Sequence, residues 1–185
     1  ACIADNVGDN VGDVAGMGSD LYESYVASIL SAIALSVAAG TGLNGLVAPM
    51  VLAAAGILAS LIGTFFVSTK EGASQKNLLA SLRKGVYIAS VLFAVLAFLV
   101  VYFMLGITNI GYFIAILCGL VAGNIIGIIT EYYTSDASKP TKDLAESSET
   151  GSATVIISGL ALGMRSTLYP VIVVCIACLL YTSPS

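Results

Sequence analysis

Residues 85–105 read GVYIASVLFAVLAFLVVYFML, and residues 112–130 read YFIAILCGLVAGNIIGIIT. From Gly85 to Thr130 there is no Asp, Glu, Lys or Arg. A membrane-spanning helix needs about 20 consecutive apolar residues, so the run is long enough for two spans and a tight hairpin. The hairpin signal sits in its middle, at Gly106-Ile107-Thr108-Asn109-Ile110-Gly111, where glycines break the apolar pattern. The same plan occurs upstream. No charge falls between Ser24 and Thr69, and Gly40-Thr41-Gly42-Leu43-Asn44-Gly45 stands at the centre of that run. A closed β-barrel would alternate apolar and polar residues over short strands, and these runs do not.

The rest of the chain agrees. Of its 185 residues, 58% are hydrophobic and only 10% charged, and its mean hydropathy is +0.99. A soluble domain carries about 25% charged residues, so too few are present to cover a water-facing surface. With a net charge of −4, no nucleic-acid partner is expected. The sequence predicts an all-α, polytopic transmembrane bundle with helices over residues 5–39, 46–67, 86–105, 112–130 and 154–180, the last kinked at Pro170. Residues 1–39 form one unit of this plan, and 46–180 supply about four further spans. The chain opens at Ala1 inside a motif, without an initiator Met or a signal peptide, so a fragment of a longer protein is expected. The tail Tyr181–Ser185 ends the apolar run abruptly.

Charge asymmetry gives an orientation. Lys70, Lys76, Arg83 and Lys84 fall in one connection, whereas the two hairpins hold no Lys or Arg. The positive-inside rule places that connection in the cytoplasm. Counting spans in both directions puts Ala1 to about Asp13, and Ser135–Gly151, on the same side. The latter stretch reads as a polar loop or a helical extension into water.

The segment richest in chemistry is Asp5–Tyr25, DNVGDNVGDVAGMGSDLYESY. Its acids recur at helical spacing. At 100° per residue, with Asp5 at zero, Asp9 lies at about 40°, Asp13 at about 80°, Asp20 at about 60° and Glu23 at about 0°. Five carboxylates thus share one face, in a stripe roughly 27 Å long. The first Lys or Arg of the chain is Lys70, so counter-charge must come from cations, protons or bases elsewhere. Carboxylate oxygens without histidine favour Mg²⁺ or Ca²⁺ over zinc or iron. Mg²⁺ is usually held by a few carboxylates together with substrate phosphates. Asp9 and Asp13, one turn apart, suit that role. Asp20 and Glu23 fall deeper, at the head of the uncharged run, where ionisable groups mark function. Gly8, Gly12 and Gly16 form a small-residue stripe beside the acids that suits close helix packing.

Blander readings stand beside these. Asp5, Asp9 and Asp13 also fit a solvated helix end, and Asp20 and Glu23 fit a helix emerging into water. An EF-hand is excluded, because its ligands alternate along a loop. Cys175-x-x-Cys178 lies in an apolar run, which argues against a zinc or redox role. Arg165 is the only charge in the last helix and either pairs with an acid or snorkels to the interface. Asn124 suits a polar helix–helix contact, and Tyr132-Tyr133 suits an interfacial helix end.

DNVGDNVGD followed by AGMGSDLYESY resembles the signature of membrane-bound, ion-pumping inorganic pyrophosphatases. TEYYTS (Thr130–Ser135), TGSAT (Thr150–Thr154) and GLALG (Gly159–Gly163) extend the likeness through nearly the whole chain. The resemblance implies a homodimer in which each subunit is a larger bundle of roughly sixteen helices, the first helix here being an inner one and the other four mainly outer. It implies hydrolysis of pyrophosphate coupled to pumping of Na⁺ or H⁺, with Mg²⁺ as cofactor and K⁺ or Na⁺ as further ions. Asp9 matches a Mg²⁺–pyrophosphate ligand, Asp13 an aspartate that holds the attacking water and contacts metal, and Asp5 a nearby site carboxylate. Asp20 and Glu23 match the ion gate. Glu23 stands three residues after Asp20, and Ala27, seven after, is no acid. That arrangement is similar to Na⁺-pumping members and to some bacterial H⁺-pumping ones. The fragment by itself is expected to be inactive. Two rivals remain on the residues alone: a cation-binding secondary transporter or channel without hydrolysis, whose ligands would sit nearer the midplane, and a non-catalytic membrane protein.

Overall fold

The computed structural model describes residues 2–69, 75–106, 110–136 and 138–182. They form helices α1 (Cys2–Ala38), α2 (Gly42–Thr64), α3 (Gln75–Met104), α4 (Ile110–Thr134), α5 (Lys139–Ser147) and α6 (Ser152–Thr182). A single 3₁₀ turn over Ser148–Thr150 joins α5 to α6. Five of the helices are long and apolar enough to cross a membrane, and the described residues contain no strand. In hydrocarbon every backbone polar group must be bonded internally, and a helix achieves this within one segment.

Hydropathy located the helices and misjudged their ends. α3 begins at Gln75 rather than near Val86, and α4 runs to Thr134 rather than Thr130. Apolarity marks only what lies in lipid, whereas the hydrogen-bond ladder continues through good helix formers such as Leu79, Ala80, Leu82 and Arg83. Ser135–Gly151 is mostly the short helix α5, begun by Pro140 in its first turn, where a missing N–H costs nothing. α6 runs through Pro170 as one helix. The first hairpin turns on Gly40 and Gly42, both with positive φ, a region that glycine enters freely. Lys70, of the basic connection, and residues 107–109 of the second hairpin lie outside the described residues.

The long helices pack as a row. Among the described residues α1 touches α2 alone, α2 meets α3, α3 meets α4, and α4 meets α6, with α5 tucked against α4 and α6. The buried hydrophobic side chains are small: Ala48, Ala55 and Ala59 on α2, and Ala97 and Val101 on α3. Between helices in lipid there is little hydrophobic drive, so close approach of small residues supplies the contact. Gly63 and Gly85 meet closely across α2–α3. A Cβ added at Gly63 would stand 2.8 Å from Ala89 Cβ and 3.1 Å from the Gly85 carbonyl oxygen. Polar ties reinforce the row. Asn44 Nδ2 donates to the Met104 carbonyl at the end of α3 at 3.1 Å, and Asn124 Nδ2 donates to Ser90 Oγ across α3–α4 at 3.2 Å. The expected helix–helix role of Asn124 is thus present.

Candidate functional site

The acidic stripe lies on α1, and its placement follows from how α1 docks. Tyr25 leans over α2, with its hydroxyl 3.1 Å from where a Cβ on Gly56 would stand. Near the hairpin, Ser36 Oγ donates to the Gly45 carbonyl at 2.7 Å. Both contacts fix one antiparallel register, in which Asp20 falls opposite Leu61, Glu23 opposite Leu58 and Asp13 opposite Ser68. α2 ends at Thr64, opposite Met17. At 1.5 Å per residue, Asp13, Asp9 and Asp5 overhang that end by about 6, 12 and 18 Å. Asp20 and Glu23 lie about 4.5 and 9 Å below it, alongside the body of α2. The register thus sets Asp5, Asp9 and Asp13 beyond the end of α2 and Asp20 and Glu23 beside it.

Rotation matters as much as height. Counted from Asp5, Tyr25 lies at about 200° and Ser36 at about 220°. The acids occupy the arc from 0° to about 80°, nearly opposite. The face that grips α2 and the face that carries the carboxylates are therefore different sides of one helix. Every α1 residue from Cys2 to Ser28 is exposed. Nothing lies within 4 Å of a Cβ built on Gly8, Gly12 or Gly16, so the described residues supply no packing partner for the glycine stripe. The Asn6 and Asn10 amides fold back onto their own helix, donating to the Cys2 and Asn6 carbonyls at 3.2 and 2.8 Å.

The five acids share a face, but they do not form a closed cage. Among the described residues no three His, Cys, Asp or Glu side chains converge as a metal site. Mg²⁺ seldom requires one. It keeps several waters and takes one or two carboxylates with substrate phosphates. Asp9 and Asp13, about 6 Å apart along the axis, offer that partial donor set, and its hard oxygens suit the ion.

Two features escaped the sequence reading. Arg83 Nη2 pairs with Glu131 Oε1 at 2.9 Å across α3–α4, the one ion pair among the described residues. Tyr25 fastens α1 to α2 at Gly56. The first had a faint signal, since both residues flank the uncharged run. The second had none, because an aromatic two residues after Glu23 could face any neighbour.

An all-helical arrangement with five helices long and apolar enough to cross a membrane defines an integral, multi-pass membrane protein. The family model described as inorganic H⁺ pyrophosphatase matches residues 1–183, and the chain belongs to that family. It is 50% identical over 181 residues to a Bacteroides thetaiotaomicron protein provisionally named a K⁺-stimulated pyrophosphate-energized sodium pump, covering 94% of this chain and 25% of the relative. A Clostridium tetani protein of the same name is 49% identical over 179 residues, covering 97% and 26%. A Methanosarcina mazei K⁺-insensitive pyrophosphate-energized proton pump is 44% identical over 176 residues, covering 94% and 25%. The chain thus spans about a quarter of the length of these relatives.

Proposed function

We propose that this chain is the part of a pyrophosphate-hydrolysing ion pump that joins the hydrolytic site to the ion path. The observation that carries the reading is the face of α1: five carboxylates turned away from α2, three beyond its end and two beside its body. A helix so placed presents its acids to the remainder of the protein, which supplies the opposing wall and the counter-charge. Residues 1–39 are then the inner helix, and 46–180 belong to the surrounding ring of a homodimer embedded in lipid.

Asp9 and Asp13, with Asp5 beside them, would hold Mg²⁺. Bound Mg²⁺ would neutralise the charge of pyrophosphate and polarise its oxygens. Asp13 orients the attacking water and accepts its proton on a carboxylate oxygen, as a general base. Asp9 anchors the substrate end of the site, and Asp5 adds negative charge that favours cation entry. No covalent bond to the protein is needed. Asp20 and Glu23, deeper along the same helix, take up and release the pumped cation. Because both groups ride on one helix fixed at Tyr25 and Ser36, a shift of α1 along its axis would move the hydrolytic and gating carboxylates together. Glu23 with no acid at Ala27 favours Na⁺ as cargo, and the two relatives named as sodium pumps support that choice; H⁺ is the alternative. The outer trio and the basic connection then face the cytoplasm.

The test is phosphate release from pyrophosphate by the full-length protein in sealed vesicles, with Mg²⁺ and with Na⁺ and K⁺ varied separately. Mg²⁺-dependent hydrolysis that requires Na⁺ and drives Na⁺ uptake is the expected result. Hydrolysis indifferent to Na⁺ with acidification of the lumen would reassign the cargo to H⁺. A folded protein that hydrolyses no pyrophosphate would leave the transporter reading in its place.

A further inference from the structure

The end of α4, the start of α5 and the middle of α6 enclose a cleft of about 490 Å³. Its lining carries two cations, Lys139 and Arg165, two phenols, Tyr132 and Tyr133, the apolar Leu162 and one acid, Asp143. Arg165 is the sole charge of α6, and no carboxylate among the described residues lies within ion-pair distance of it. Beside it, the ring of Tyr133 stacks on that of Tyr169 with centroids 6.1 Å apart. Tyr132, Tyr133 and Tyr169 are amphipathic rings of the kind that collect at a membrane surface. The neighbouring Glu131 closes its pair with Arg83 on α3, so its charge is taken up on the other side of α4. Between α4 and α6 lies an apolar groove, lined by Ile114, Val121 and Ile125 of α4 and Ile176 of α6 among others.

We propose that this cleft binds the phosphate headgroup of an anionic membrane lipid, with its acyl chains laid along the apolar α4–α6 seam. Arg165 offers a planar fork that matches two phosphate oxygens, and Lys139 adds a mobile point charge. Asp143 offsets one of the two cations, which selects for a singly charged phosphodiester over a more highly charged free phosphate. Basic pockets between helices at an anionic leaflet are a recurrent headgroup site. A soluble phosphate would meet the same cations but would leave the apolar seam unused.

The experiment uses the full-length protein, delipidated in detergent and titrated with phosphatidylglycerol, phosphatidylcholine or inorganic phosphate, with bound lipid counted by native mass spectrometry. The expected result is preferential retention of phosphatidylglycerol, weakened about fivefold by Arg165→Gln or by Lys139→Gln and roughly 25-fold by both. Arg165→Lys should recover only part of the loss, because it lacks the fork. Thermal midpoints without lipid report whether the variants fold. Equal retention by wild type and double variant would overturn the proposal, as would release of the lipid by millimolar inorganic phosphate. It would also fall if Arg165→Gln lowered the lipid-free midpoint with lipid retention unchanged, since Arg165 would then pair with an acid of the parent chain. None of these readings depends on hydrolysis, so the site stands or falls separately from the pump.

Discussion

Enlarging Gly63 should unfasten α2 from α3. A methyl there would stand 2.8 Å from Ala89 Cβ and 3.1 Å from the Gly85 carbonyl oxygen, whereas carbons pack at about 3.5–4.0 Å. Neither obstacle is the end of a flexible side chain. One is a Cβ and the other a backbone atom, so relief requires the helices to part by roughly 1 Å. Such a gap forfeits a quarter to a half of each contact along the seam of Ala55, Ala59 and Ala89. Overpacking of this kind costs about 1–3 kcal/mol. Alanine recovers up to about 1 kcal/mol of helix propensity, while valine and leucine add bulk. In the expected order of stability the wild type comes first and Gly63→Ala falls slightly below it. Gly63→Val and Gly63→Leu follow, about 2–3 kcal/mol lower. The assay is reversible unfolding of the full-length protein in mixed micelles against increasing SDS, read by helix content and by a fluorophore across the α2–α3 seam. A flat series, with Gly63→Leu unfolding at the wild-type midpoint, would refute this account of how the row is held.

Further outcomes follow from the geometry. Asp13→Asn keeps the shape of the side chain and removes the proton acceptor, so hydrolysis by the full-length protein should fall at least about 10²-fold with unchanged unfolding; steady-state phosphate release checks it. Glu23→Gln should impair ion uptake into sealed vesicles more than it impairs substrate binding, since Glu23 lies about 15 Å along α1 from Asp13; equal loss of both would place Glu23 in the hydrolytic site instead. Arg83→Gln and Glu131→Gln form a double-mutant cycle. With side chains 48% and 25% exposed, the pair should couple by only about 0.2–1 kcal/mol, weakening with added salt. Asn124→Leu, which removes the bond to Ser90, should cost about 0.6 kcal/mol in the same unfolding assay.

Much of this molecule was legible in its residues because lipid imposes a narrow code. Residues 85–130 could only be paired helices, since no other open structure satisfies its backbone in hydrocarbon. The glycines at 40 and 42 marked their turn because a positive φ there excludes most other residues. Helix ends were harder. Gln75–Lys84 carries charge and so looked like connection, yet charged residues such as Lys and Arg are good helix formers, and nothing in water opposes continuing the ladder. α5 stayed open between loop and helix for a similar reason: nine residues cannot declare a period as a long span does.

The acidic face of α1 was fixed by the sequence alone, because 3.6 residues per turn brings Asp5, Asp9, Asp13, Asp20 and Glu23 to one side whatever surrounds the helix. Which way that side points was not. Rotation about the helix axis changes no local hydrogen bond, so it is decided only by what the opposite face can grip. Here Tyr25 over Gly56 and Ser36 on the Gly45 carbonyl turn the carboxylates away from the hairpin and set three of them beyond the end of α2. The pairing of Arg83 with Glu131 and the meeting of Lys139 with Arg165 in one cleft are likewise tertiary facts. These partners lie on different helices, and their approach depends on packing distances that no one-dimensional period records.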